Sequence, residues 1–475
     1  GAAPATKGVG EKTKPVLPPG LKAKLIVKNL DATFTDKSVP DAATVTLDDA
    51  DLTAEIEVGH KAKVRLESMT FVGTTRPDSG AGRLAMNASI DRWSTPEGTL
   101  TLDKAKGEAD VTLASFPVHV LDTLIGPVGR TPDGSAITLR RSLGPALDLS
   151  LSASGDGKAA NLTFAFSLDG ARARGEATVA EGVLSLTKPM ELSAKGSAIR
   201  ALVPQTEPYF AADATPALDA IPDATVVVER LRMPYDAAGP DLRKLDASVK
   251  VSIAPASGRV VIEQGKPASA FATTPLTLSL DTTSLGTSVR VQAGTSATLG
   301  GNPAGDIRVD ATLGGVIDAS GKPVSMPASI EGAATVSGVA TAILQPLVAG
   351  LGLDLYNDVG PTLDLSVRAS TAATEAQGDR PIAIDATIRS AGMNADAALE
   401  VSQTVIRSRD SGIRADVPGA GTIAARFIKP GTGWSLAPSQ GGGRAVLQVQ
   451  RLSVPRGASG LELDRAEFKG TLDVT

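Results

Sequence analysis

The sequence predicts a mainly β protein, an elongated twisted antiparallel sheet curled into a groove and built from tandem units with a few short helices. Three observations predict it. Apolar and polar residues alternate with period two in many short segments, the mark of strands with one dry and one wet face. Gly, Pro, Asp and Asn punctuate these segments at roughly ten-residue spacing, as hairpins require. A long stretch of the pattern also occurs twice.

The alternation is clearest in GPALDLSLSAS, Gly144 to Ser154. Leu147, Leu149, Leu151 and Ala153 point one way; Asp148, Ser150 and Ser152 point the other. LTFAFSL sets Leu162, Phe164, Phe166 and Leu168 against Thr163, Ala165 and Ser167. TLDLSVRA sets Leu363, Leu365, Val367 and Ala369 against Asp364, Ser366 and Arg368. PIAIDATI, which contains Ile382 and Ile384, and LTLSLD, SVRVQ, DIRVDATL and DLTAEIEV continue it. Helical spacing is confined to FPVHVLDTLIG (Phe116 to Gly126), GVATAILQPLVAG (Gly338 to Gly350) and a turn or two in RALVPQTEPYFAADA from Arg200.

The repetition is architectural. GPTLDLSVRAS from Gly360 repeats GPALDLSLSAS at an offset of 216, and Leu344 repeats Leu121 at an offset of 223. Ala311 matches Ala88 at that same larger offset. KLIVKNLDATF (from Lys24), TVVVERLRMPY (from Thr225) and VLQVQRLSVPR (from Val446) are three copies of one strand. The expected organisation is a flexible leader over 1–23, a first groove unit over 24–224, a second over 225–445, and the start of a third over 446–475. The chain then reads as a piece of a longer array of units of about 220 residues.

Composition narrows the function. Charged residues make up 21% and the net charge is -5, with acids and bases interleaved, so no strongly basic surface for nucleic acid is expected. Aromatics are 3%, which argues against base-stacking platforms. Cysteine is absent, which removes disulfides and thiolate chemistry. No apolar run reaches the roughly 18 residues of a membrane span.

Two arrangements would cover the apolar faces. Sheets can pair as closed sandwiches, which repeat at roughly 100 residues around a large aromatic. Here the period is longer and Trp occurs only at Trp93 and Trp434. The other arrangement is a trough whose apolar lining is filled by guests. Such a lining is aliphatic and poor in hydrogen-bonding groups, as alkyl chains require. Each buried CH₂ contributes about 0.8 kcal/mol, so a 16-carbon tail gains on the order of 10 kcal/mol.

The segments VLDTLIG…LGPALDLSLSAS, AILQPLVAG…VGPTLDLSVRAS, and VPQTEPYFAADA leading into VVVERLRMPYD resemble AsmA-like proteins of bacterial envelopes. These belong with the bridge-like lipid-transfer proteins that share a repeating β-groove. The resemblance implies a non-enzymatic conduit in the periplasm, tethered through parts outside this chain. Its groove carries phospholipid acyl chains between membranes and serves outer-membrane biogenesis. The implied bound molecules are phospholipids or fatty-acyl chains, and the implied partners are envelope proteins at the ends of the array or further copies of the chain. Leu147, Leu149, Leu151, Phe164, Phe166, Leu363, Leu365, Val367, Ile382 and Ile384 are the expected lining. The alternative is a structural or adhesive envelope array with closed cores.

Other chemistry has little footing. His60 follows a strand and reads as exposed; His119 sits in an apolar helical stretch and reads as packing. Neither G-x-S-x-G nor H-E-x-x-H occurs. LDDADL gathers Asp48, Asp49 and Asp51 where a hairpin connection is expected, without the Gly turn and bidentate acid of a calcium loop. No catalytic or metal-ligating residues are therefore expected.

Overall fold

The alternation in sequence becomes alternation in space. The computed structural model describes residues 17–36, 43–73, 81–101, 104–118, 121–122, 129–130, 136–202, 217–236, 239–262, 267–324, 326–348, 354–371, 381–420, 443–457, 460–462 and 465–475. His119, Trp434 and the whole VPQTEPYFAADA segment lie outside them. The chain divides into two compact units, Gly1–Met190 and Glu191–Thr475.

The first unit is an antiparallel meander of β1 (Lys22–Asp36), β2 (Ala43–Glu57), β3 (Lys61–Gly73), β4 (Ala81–Asp91) and β5 (Lys106–Pro117). After β5 come a two-residue hairpin of β6 (Gly129–Arg130) and β7 (Ala136–Ile137), and the short helix α1 (Leu139–Leu143). The ladder resumes with β8 (Ala146–Asp156), β9 (Ala159–Leu168) and β10 (Ala171–Ala180). Strand β11 (Val183–Ala194) spans the division.

The second unit starts with helix α2 (Gly196–Leu202) and β12 (Ala217–Leu218). Its ladder begins at β13 (Ala224–Asp236), joined after the two-residue β14 (Gly239–Pro240) by β15 (Asp246–Ile253). A side hairpin of β16 (Ser257–Val260) and β17 (Ser269–Thr273) precedes β18 (Leu276–Ser284), β19 (Ser288–Leu299), β20 (Asn302–Gly314) and β21 (Ser329–Ala340). Helices α3 (Thr341–Val348) and α4 (Leu355–Asp358) lead back into β22 (Thr362–Thr371), β23 (Ile382–Ser390), β24 (Asn394–Val401) and β25 (Val405–Pro418). The ladder finishes with β26 (Arg444–Gly457), the short β27 (Gly460–Leu461) and β28 (Glu467–Val474). Every strand pairing with a defined register is antiparallel, and helices are few and short, as the sequence predicts.

The duplicated GP-x-LDL segment has one set of duties in both units. Gly144 ends α1 at φ 110, and Gly360 follows α4 at φ 115; side chains at such angles are strained, so glycine is required. Each caps its helix, Gly144 N–H donating to Arg140 O at 3.1 Å and Gly360 N–H to Leu355 O at 3.0 Å. The next carbonyl, of Pro145 or Pro361, accepts from the N–H of Val118 (2.9 Å) or Thr341 (3.1 Å), two fully buried residues. The carboxylate of Asp148 accepts from Ser115 N–H at 2.8 Å, and that of Asp364 from Gly338 N–H at 2.6 Å. The caps at the other end match as well. Thr138 and Asp354 cap α1 and α4, while Asp122 and Gln345 accept the first N–H of each, from Leu139 at 2.6 Å and Leu355 at 2.8 Å.

Ser115 (φ 48) and Gly338 (φ 60) are bulge residues, placed where the β5–β8 and β21–β22 registers shift. The extra residue keeps Leu113 and Phe116, and likewise Val336 and Val339, on one face despite their odd spacing. The LDDADL run does the same. It is not a hairpin connection but the bulged middle of β2. There Asp49 (φ 50) donates its N–H to Asp31 at 3.2 Å, and Asn29 (φ 51) on β1 donates to Asp51 at 3.0 Å. The Asp51 carboxylate is spent on the Asn29 N–H and the Asp31 carboxylate of β1 on the Asp49 N–H, so both acids serve the bulge.

This latch, in which a glycine caps the helix and an aspartate holds the bulge N–H, predicts that Asp364→Ala and Gly360→Ala each destabilise the second unit by about 1–3 kcal/mol, through an unpaired N–H and a strained φ. Ser366→Ala on the wet face stays within about 0.5 kcal/mol. Urea midpoints of the three variants check this.

Candidate functional site

Antiparallel register puts directly opposed residues on one face, so the ladder can be read across the strands. In the first unit one line runs Met86, Val111, Leu151, Phe164, Gly175. The lines beside it run Leu84, Leu113, Leu149, Phe166, Ala173 and Ala88, Ala109, Ala153, Leu162, Ala177. In the second unit a line crosses eleven strands without a polar residue: Val226, Val251, Leu278, Ala293, Val309, Ala334, Val367, Ala386, Ala397, Ile413, Val449. Each unit thus has one continuous aliphatic face.

That face is not packed shut at its middle. Met86, Val111, Leu151 and Phe164 are half-buried, and so are Leu278, Val309, Val367 and Ala386. Buried apolar clusters sit at the strand ends. In the first unit Phe116, Val118 and Leu147 form one, with Leu113, Leu121, Leu139, Leu149, Phe166 and Leu168 against it. In the second, Val260 and Phe271 of the side hairpin meet Ala342 of α3, with Leu218, Ile262, Leu299 and Ile343 around them. Helical segments therefore plug one margin of each face. A shallow cavity of about 460 Å³ opens on the first unit's dry face over Ala62, Ala88, Ile90, Ala109, Ala153 and Ala160.

The expected lining residues fall on these faces. Leu147, Leu149 and Leu151 stand opposite Leu168, Phe166 and Phe164. Leu363, Leu365 and Val367 share a face with Ile384 and Ile382, through the opposed pairs Leu365–Ile388, Ala369–Ile384 and Thr371–Ile382. They are not equivalent. Leu147 is buried in the marginal plug and Ile382 is buried at the start of its strand, whereas Leu151, Phe164, Leu365, Val367 and Ile384 are half-buried on the open stretch.

The opposite face is wet and laced with cross-strand ion pairs. Lys250 meets Glu229 at 2.6 Å; Arg290 meets Asp310 at 2.8 Å; Arg230 reaches Asp246 at 2.6 Å and Asp281 at 3.3 Å. Arg389 meets Asp396 at 2.5 Å, and Arg444 pairs with Asp416. Exposed pairs add little stability but favour one register over its neighbours. A second cavity, of about 700 Å³, lies on this side over Lys250, Ser279, Gln292, Arg308 and Thr335. Concavity is thus not confined to the dry face.

Among the described residues no group of three or more metal-ligating side chains converges, and no helix is long and apolar enough to cross a membrane. His60 is exposed in the turn between β2 and β3. What sequence reading missed is the bulge latch; its signal was the aspartate shared by the two LDL segments. No known family model matches the chain, and a comparison with curated proteins found no match.

The wet face also sets a pH response. The Arg290 guanidinium, followed by Gln292, holds the Asp310 carboxyl below its ordinary 3.8, and Arg444 does so for Asp416. Depressed carboxylates stabilise the fold fully above their unfolded pKa and lose that contribution as pH falls through the lower folded value. Thermal stability is expected to be flat from pH 8 to about 5 and to fall only below about pH 4. Asp310→Asn should flatten part of that fall, read by melting temperature against pH.

Proposed function

We propose that the chain is a non-enzymatic lipid-binding segment whose aliphatic face takes up the acyl chains of phospholipids or fatty acids. One observation carries this reading: an unbroken aliphatic line over successive strands that stays half-exposed at mid-sheet while the buried clusters are kept to the margins. Large exposed apolar surfaces are binding surfaces or aggregation hazards. Acyl chains match a lining of Leu, Val, Ile and Ala in shape and in lack of hydrogen-bonding groups. A closed-core array would require buried side chains opposite Leu151 and Val367, which are half-buried.

The resemblance to AsmA-like envelope proteins gives this binding a setting. A long dry track on a wet-backed sheet would let acyl chains pass between two membranes of an envelope while headgroups stay hydrated. Partner proteins at the ends of the array, and a periplasmic location, belong to the same proposal.

Leu151→Asp combined with Val367→Asp tests it. Both positions lie outside the buried clusters, so folding is retained. Each charge would meet acyl chain without a partner, at a cost of several kcal/mol. Mass spectrometry of solvent-extracted, purified protein should show at least a tenfold loss of co-purified lipid. Unchanged lipid in the folded double variant would refute the reading.

A further inference from the structure

One margin of the first unit is plugged by Phe116, Val118 and their neighbours; the opposite margin is built differently. There the β2–β3 turn, the loop from β4 to β5 and the β8–β9 turn enclose a depression of about 470 Å³. Its lining brings together Arg92, Lys104, Lys106 and Lys158 with the hydroxyls of Ser94, Thr95 and Thr101. In a chain of net charge -5 this is a local reversal of sign.

Positive charge is in excess here. Among the described residues none of the four cationic side chains makes an ion pair or a hydrogen bond, although most basic side chains of the wet face are paired. Asp156 is the carboxylate in the lining, and its Oδ1 already accepts the N–H groups of Lys158 and Ala159, each at 3.0 Å. Those two bonds, with the charges of Lys106 and Lys158 adding less, hold its carboxyl below the ordinary 3.8. Nearby, Asp91 is engaged by Lys61 at 3.7 Å, and the Glu97 carboxylate accepts from the Thr95 hydroxyl. One carboxylate among four cations leaves positive charge for something else.

The β2–β3 turn and the part of the β4–β5 loop that carries Arg92 are tied to one another. Ser94 Oγ accepts the N–H of Gly59 at 2.8 Å, and Thr101 Oγ1 donates to Arg92 O at 2.9 Å. Arg92 N–H donates to His60 O at 3.1 Å, with Arg92 held at φ 56, a strained conformation for a side-chain-bearing residue. Gly59 (φ 87) permits the approach, since a Cβ there would lie 2.9 Å from Pro96 Cα. Asp156 and Gly157 line this depression and also the Ala-lined cavity of the dry face, so the two are contiguous.

We propose that Arg92, Lys104, Lys106 and Lys158 bind a phosphate group at the open margin of the first unit. Two sources share that chemistry: the headgroup of an anionic phospholipid whose acyl chains lie on the neighbouring dry face, or free inorganic phosphate. The lipid source rests on the function proposed above; the anion site itself does not.

The test uses the chain with Lys104→Gln, Lys106→Gln and Lys158→Gln combined, beside the Leu151→Asp/Val367→Asp variant. The probes are inorganic phosphate by calorimetry, and flotation with phosphatidylglycerol or phosphatidylcholine vesicles. At about fivefold per lysine, the triple variant is expected to lose roughly a hundredfold in affinity for phosphate and for phosphatidylglycerol vesicles, with phosphatidylcholine binding unchanged. Loss for phosphate alone assigns the site to the free ion. Equal binding of both anionic probes by parent and triple variant overturns the site. Retained lipid in the apolar-face variant would instead sink the groove reading, leaving the anion site to stand on the phosphate measurement.

Discussion

Register is the constraint on which everything else in this molecule rests. Side chains on a strand alternate, so a one-residue slip anywhere in a ladder would send every later apolar side chain to the wet side. Across eleven strands of the second unit no such reversal occurs. The wet-face ion pairs act locally on this problem, since Arg290 finds Asp310 in only one alignment of β19 and β20. The bulges are the more demanding case, because each inserts a residue and would invert the faces if it were not itself fixed. A backbone N–H bonded to a carboxylate across the ladder fixes them at Asn29, Asp49, Ser115 and Gly338.

The helical interruptions serve the same end. In each unit the chain leaves the sheet after a bulge, makes short helical turns, and re-enters at a glycine with positive φ followed by proline. Val118 or Thr341 then closes the excursion onto the proline carbonyl. The excursion covers the strand ends with Leu, Ile and Val, so the dry face has a finished end while its middle stays open. Buried apolar packing is thereby concentrated at the margins and half-exposed aliphatic surface at the centre.

Much of this was legible in the sequence and some was not. Period two located β8, β9, β20, β22 and β23, because each strand has one face against water and a shifted polar residue would be visible at once. The offsets of 216 and 223 pointed to a shared device, and the hydrogen bonds at Val118 and Thr341, or Ser115 and Gly338, obey them. Phe116 was less legible: its apolar run reads as the start of a helix, yet it still belongs to β5, because a bulge at Ser115 restores its face. LDDADL was misread as a connection for the same reason, since local spelling does not reveal a positive-φ residue inside a strand. Arg92 and Lys104 stand on the β4–β5 loop, Lys106 at the start of β5 and Lys158 in the β8–β9 turn, and only the folded ladder brings Lys158 to the other three.

The two copies differ in one count that bears on any attempt to shuffle them. Three strands separate β1 from β5, whereas four separate β13 from β21. The segment that carries the helical excursion therefore runs parallel to the opening strand in one copy and against it in the other. A chimera that transplants one excursion into the other copy would deliver its cover to the wrong rim unless an odd number of strands travelled with it. The two copies are therefore not interchangeable building blocks.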